Sequence, residues 1–100
     1  MSIVFNKTKI IATIGPSSNT KDKILELARA GVDIFRLNFS HGTHEQHQQV
    51  IDFIRQINQE HQMNLGCLQD LQGPKIRIGM VENNGVELQN GQDFAITTEE

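Results

Sequence analysis

The feature of this 100-residue chain that most restricts its fold is the order in which apolar segments, helix caps and turns follow one another over the first 70 or so residues. Lys9-Ile10-Ile11-Ala12-Thr13-Ile14 is a short apolar run closed by Gly15-Pro16, the pattern of a strand buried on both faces and cut by a turn. Thr20 then stands where it would cap a helix over about Lys21 to Ala30, with Ile24, Leu27 and Ala28 at helical spacing and Gly31 as terminator. Val32 to Phe39 reads as a second strand. Thr43 and Gln46 form a capping box ahead of Val50, Ile51, Ile54 and Ile57, which predicts a second helix ending near His61. Leu65-Gly66-Cys67-Leu68 is the third strand. Strand, helix, strand, helix, strand forces parallel pairing with right-handed crossovers, so the expected class is α/β.

Beyond Gln72-Gly73-Pro74 the pattern changes. Lys75-Ile76-Arg77-Ile78 and Val86-Glu87-Leu88 alternate, Asn84-Gly85 and Asn90-Gly91 are turn signals, and Phe94-Ala95-Ile96-Thr97 resumes β character. Residues 1–72 are therefore expected to form one α/β unit and residues 73–100 the beginning of an antiparallel β domain whose last element is cut off. A chain of this length has room for one modest core. The formal net charge is −3 and the nine basic residues are scattered, which excludes a nucleic-acid or membrane-surface footprint. No apolar stretch of signal-peptide or membrane-spanning length is present, so a cytoplasmic location is expected. The single cysteine, Cys67, has no internal disulfide partner, and its apolar neighbours in sequence suggest a small buried hydrophobe in a reducing compartment.

Two segments carry chemistry. In Arg36-Leu37-Asn38-Phe39-Ser40-His41-Gly42, strand alternation sets Arg36, Asn38 and Ser40 on one face and Leu37 and Phe39 on the other. A guanidinium suits a planar anion; an amide oxygen and a hydroxyl suit a hard cation or a phosphate-bridging water. They lie at the carboxyl end of a parallel strand, where α/β proteins bind ligands. The bland alternative is a solvent-facing edge strand, but Arg36 stands between Ile34-Phe35 and Leu37 and would need a counter-anion. The second segment, Gln69 to Arg77, sets Asp70 at the end of the third strand and places Lys75 and Arg77 on one face of the next; taken alone it reads more readily as a surface turn with solvated charges. Gly15-Pro16-Ser17-Ser18 ends the first strand at the same edge, without P-loop spacing. His41, His44 and His47 recur every third residue, but no Cys or further His completes a zinc motif, and a solvated helix start is the better reading.

Thr8 to Ser18, Arg36 to Gly42 and Asp70 to Arg77 resemble, in order and spacing, three signature segments of pyruvate kinases, and the resemblance extends through both Asn-Gly turns. It implies the first three strands and two helices of a TIM-type β/α barrel, broken at Gln72-Gly73-Pro74 by the start of the family's antiparallel lid domain. It also implies transfer of phosphoryl from phosphoenolpyruvate to ADP, giving pyruvate and ATP in glycolysis, with magnesium and, in most members, potassium as cofactors and a homotetramer as the family assembly. By motif position, Arg36 would hold the transferred phosphoryl group as the catalytic and substrate-binding residue. Asn38, Ser40, Asp70 and the Leu71 carbonyl would hold the monovalent cation. Asn38, Ser40, His41, Pro74 and Arg77 would form the nucleotide side of the site.

One departure from the family pattern bears on the cation. Many members have Thr-Lys-Gly-Pro-Glu after the aspartate; here the segment is Leu71-Gln72-Gly73-Pro74-Lys75. In the family a lysine at the last position goes with independence from potassium, because a tethered ammonium supplies the charge and repels the ion. Members take their magnesium ligands and their enolate-protonating lysine from later strands, so the chain alone is expected to have no turnover. Three barrel strands cannot close, and their free edges predict self-association. The alternatives are a non-catalytic anion- or nucleotide-binding module and a self-associating structural fragment.

Overall fold

Both helices begin where a threonine side chain meets the orphan N–H groups of a first turn. Residues 6–74 and 76–98 are described in a computed structural model of the chain. Helix α1 (Lys21–Ala30) is capped by Thr20, whose Oγ1 accepts from Lys23 N at 3.3 Å, and it ends on Gly31 at φ 118°. That left-handed conformation strongly favours a residue without a Cβ. Helix α2 (His44–His61) has the full capping box: Gln46 N donates to Thr43 Oγ1 at 3.2 Å and Thr43 N donates to Gln46 Oε1 at 2.9 Å.

Three strands, β1 (Ile11–Thr13), β2 (Ile34–Asn38) and β3 (Gly66–Asp70), pair in parallel in the order β1-β2-β3. Phe35 and Leu37 of β2 are buried with Val32, with Ile24 of α1 and with Val50, Ile54 and Ile57 of α2. Phe35, Ile24, Leu37 and Ile57 are fully enclosed, each contributing about 1.5–3 kcal/mol of burial. Register is pinned from two sides. Ile10 N donates to Asp33 Oδ2 at 2.9 Å, and Asn58 of α2 brackets the entry to β3, donating to Leu65 O at 3.1 Å and accepting from Leu65 N at 2.8 Å. Gly66 opposes Ile34, and a Cβ there would lie 3.3 Å from an Ile34 methylene, so the glycine permits close approach.

The expected α/β order stands, and α1 has the bounds its caps predict. Four details differ. The first strand is not buried on both faces: Ile10 and Ile11 are about half exposed, because β1 is an edge strand and both helices lie on one side of the sheet. The second strand covers Ile34–Asn38, shorter than the expected Val32 to Phe39, because its pairing with β1 and β3 begins at Ile34 and ends at Asn38; β3 ends at Asp70, as expected. Cys67 is exposed, not buried: the sheet position it occupies opens onto a groove that α2 only partly covers.

The fourth difference is the antiparallel meander, which forms no strand among the described residues of 73–98, so Arg77 has no strand face to share; Lys75 lies outside the described residues. The turns are nonetheless made. Asn83 and Asn84 both take positive φ and Gly85 N donates to Glu82 O at 3.0 Å, while Gln92 N donates to Gln89 O at 3.1 Å across Asn90-Gly91. A hairpin needs a further strand or layer against its apolar face, and Ile76, Ile78, Met80 and Ile96 are exposed, with none to pack on among the described residues.

Candidate active site at the strand ends

Parallel strands whose helices return over one face leave their other face and their carboxyl ends open, and the charged residues of this sheet collect there. Arg36 projects from the central strand between its neighbours. Its Nη1 donates to Thr13 Oγ1 at 3.2 Å on β1, and its Nε donates to Asp70 Oδ2 at 3.1 Å on β3. Its Nη2 also donates to the same Asp70 oxygen. The counter-anion that a half-buried arginine requires is thus supplied by the adjacent strand. The two side chains are 32% and 42% exposed, so solvent screens the pair and it contributes little to stability. What it does is hold the guanidinium fork in place at the lip of the sheet, reachable from solvent.

Asn38 lies directly opposite Asp70 in the ladder, on the same open face. Its Oδ1 accepts from Ser40 N at 3.0 Å, folding the chain back as β2 ends, while Phe39 N donates to Asp70 O at 3.0 Å. Arg36, Asn38, Asp70 and the Ser40 turn therefore form one cluster. The next residues reach helix α2: Gly42 turns at φ 77°, and the His47 ring bonds to His41 O at 2.7 Å while stacking on Phe39 at a centroid distance of 4.2 Å. At the β1 edge, Gly15 N donates to Ser18 Oγ at 3.0 Å, closing a tight turn beside Thr13.

The other expected site residues are less assembled. His41, Leu71, Pro74 and Arg77 are exposed, and among the described residues nothing joins Arg77 to the cluster by a hydrogen bond or ion pair. No three His, Cys, Asp or Glu side chains come together as a metal site among the described residues, which removes the zinc reading of His41, His44 and His47 there. Cys67 is exposed as a residue, but partial cover from the groove wall withdraws water from its thiol and pushes it up from its ordinary value, an effect the nearby Arg55 charge opposes. No helix among the described residues is long and apolar enough to cross a membrane. Thr13, Asn58 and His47 are the residues whose parts sequence reasoning missed. A hydroxyl at a strand end carries no signal for its partner, whereas Asn58 three residues before the helix terminus hinted at a local backbone clamp.

The family profile described as "Pyruvate kinase, barrel domain" matches residues 5–100. The chain belongs to the pyruvate kinase family. It is 51% identical over 94 residues to pyruvate kinase 2 of Synechocystis, covering 92% of this chain and 16% of that protein. It is 40% identical over 98 residues to a pyruvate kinase of Thermococcus litoralis, covering 98% of this chain and 21% of that protein. A crystal structure of a pyruvate kinase from Cryptosporidium parvum superimposes with a TM-score of 0.68 at 43% identity, covering 76% of this chain and 16% of the other. The chain thus spans about a fifth or less of these pyruvate kinases, and its three strands and two helices match the start of their barrel.

Proposed function

We propose that this chain supplies the phosphoryl-holding wall of an enzyme that moves a phosphoryl group from phosphoenolpyruvate to ADP. In that reaction the bond from phosphorus to the enol oxygen breaks, a bond to a terminal ADP oxygen forms, and the enolate left behind takes a proton on carbon to become pyruvate. Charge spreads over the three equatorial oxygens in transit, so a preset guanidinium at that point lowers the barrier electrostatically. Arg36 is the candidate. The observation that carries the reading is its fixation between Thr13 and Asp70 at the open ends of three parallel strands.

By chemical type, the Asp70 carboxylate, the Asn38 amide oxygen, the Ser40 hydroxyl and the Leu71 carbonyl would suit a singly charged cation, and Asn38 Oδ1 retains a lone pair beside its bond from Ser40 N. Magnesium usually takes one or two carboxylates together with substrate phosphates, so these residues alone would hold it weakly. A bound monovalent cation would add fixed positive charge beside the phosphates. In this reading Lys75 does that instead, with His41, Pro74 and Arg77 toward the nucleotide, residues 73–100 beginning the lid, and the whole enzyme a cytoplasmic homo-oligomer.

The test is Arg36→Lys in the longest polypeptide that the reading frame encodes, assayed for pyruvate formed from phosphoenolpyruvate and ADP. A lysine keeps the charge but loses the fork, so kcat should fall on the order of 10²–10³-fold, the scale of a lost transition-state donor. A kcat within twofold of the unaltered enzyme overturns the assignment.

A further inference from the structure

His47 stands on the first turns of α2, outside the cluster just described, yet three contacts tie it to the segment that leaves β2. Its ring lies nearly parallel to Phe39, 11° between planes and 4.2 Å between centroids. Its Nε2 is 2.7 Å from the backbone oxygen of His41. Gly42, at φ 77°, passes so close that a Cβ there would sit 3.3 Å from His47 Nε2 and 3.4 Å from its Cε1. A carbonyl only accepts, so His47 Nε2 must carry hydrogen and donate to it. Among the described residues no other hydrogen bond reaches that His41 oxygen, and His41 is exposed.

We propose that His47 is a positioning residue that fixes the Phe39–Gly42 turn, and through it the nucleotide-facing His41, by one donated hydrogen bond and one ring stack. Phe39 is the link to the cluster. Its amide donates to Asp70 O and its neighbours Asn38 and Ser40 share a hydrogen bond, so a turn released at His41 loosens the Asn38–Ser40 end of the cluster. The inference rests on the functional reading above for its kinetic consequence, and on the three contacts alone for its structural one.

Two substitutions in the longest encoded polypeptide separate the contacts. His47→Phe keeps a ring over Phe39 and removes the donor. His47→Gln loses the ring but carries an amide nitrogen as many bonds from the backbone as Nε2, and so restores the donor. With ADP varied, His47→Phe should raise KM for ADP roughly fivefold, the factor of one neutral hydrogen bond, with KM for phosphoenolpyruvate unchanged and His47→Gln recovering most of the loss. Equal KM values in all three proteins, or a matching rise for both substrates without rescue by glutamine, overturn the proposal. If the unaltered protein forms no pyruvate, the reading of its function fails, and amide hydrogen exchange over residues 39–43 then decides this inference. Faster exchange in His47→Phe that glutamine slows again supports it; unchanged exchange sinks it.

Discussion

Single residues set the charge of the segment that follows Asp70 in sequence, and Lys75 is the one that departs from the pattern common in the family. Reversing it to glutamate changes the local charge by two. Two unit charges about 4 Å apart interact by ~4 kcal/mol at an effective dielectric constant of 20. A fraction of that, ~1.4 kcal/mol, gives a tenfold effect. On the function proposed above, the longest encoded polypeptide should be as active in potassium-free buffer as with potassium, whereas Lys75→Glu should lose at least tenfold without potassium and regain it on titration. Equal activity of the two forms in potassium-free buffer would refute this. The Arg36–Asp70 pairing that anchors the argument was legible because alternation along β2 and the strand end at Asp70 each follow from local pattern. Thr13 as its third partner was not, since an uncharged hydroxyl at an edge-strand terminus looks the same whether or not a guanidinium reaches it. Cys67 misled for the converse reason: apolar neighbours in sequence do not guarantee apolar cover in space.

Helix limits were legible at the scale of elements because caps are chemistry within three or four residues, and that locality is testable. Thr43 satisfies one orphan N–H and, through Gln46, receives a second bond in return, whereas Thr20 makes a single bond at 3.3 Å. Thr43→Ala should cost about 1–2 kcal/mol and Thr20→Ala about 0.5–1 kcal/mol, read from urea unfolding followed by circular dichroism at the helix band. An equal or reversed order would show that the box adds nothing to a single cap. Strand starts were less legible because they depend on a partner far along the chain; β2 begins at Ile34, not Val32, where β1 and β3 offer Ile11 and Gly66 as partners. The segment after Pro74 shows the same division. Its turns at Asn83-Asn84 and Asn90-Gly91 need only local bonds and form, while the hairpins they were expected to join need a further layer against their apolar face, and no strand forms there among the described residues.

For the molecule as a whole, the decisive quantity is the surface left uncovered. A compact monomer of 11.3 kDa exposes about 5,700 Å², and this chain exposes 8745 Å² with a radius of gyration of 19.7 Å, where about 13 Å is ordinary for its length. Much of the excess is apolar: Ile11 and Leu68 on the open face of the sheet, and Ile76, Ile78, Met80, Phe94 and Ile96 beyond it. Among the described residues no further strand pairs with the outer edges of β1 and β3. A stable interface needs about 1,600 Å² in total, well within what two copies could cover. The 100-residue chain by itself should therefore sediment as a dimer or larger species at micromolar concentration. Because Ile11 and Leu68 face the same side of the sheet, Leu68→Glu should shift it toward monomer by setting an unpaired charge into the covered face. A monodisperse monomer of the unaltered chain across that range would mean that the exposed strands are covered by folding within one molecule, through pairing of the segment beyond Pro74 onto the sheet.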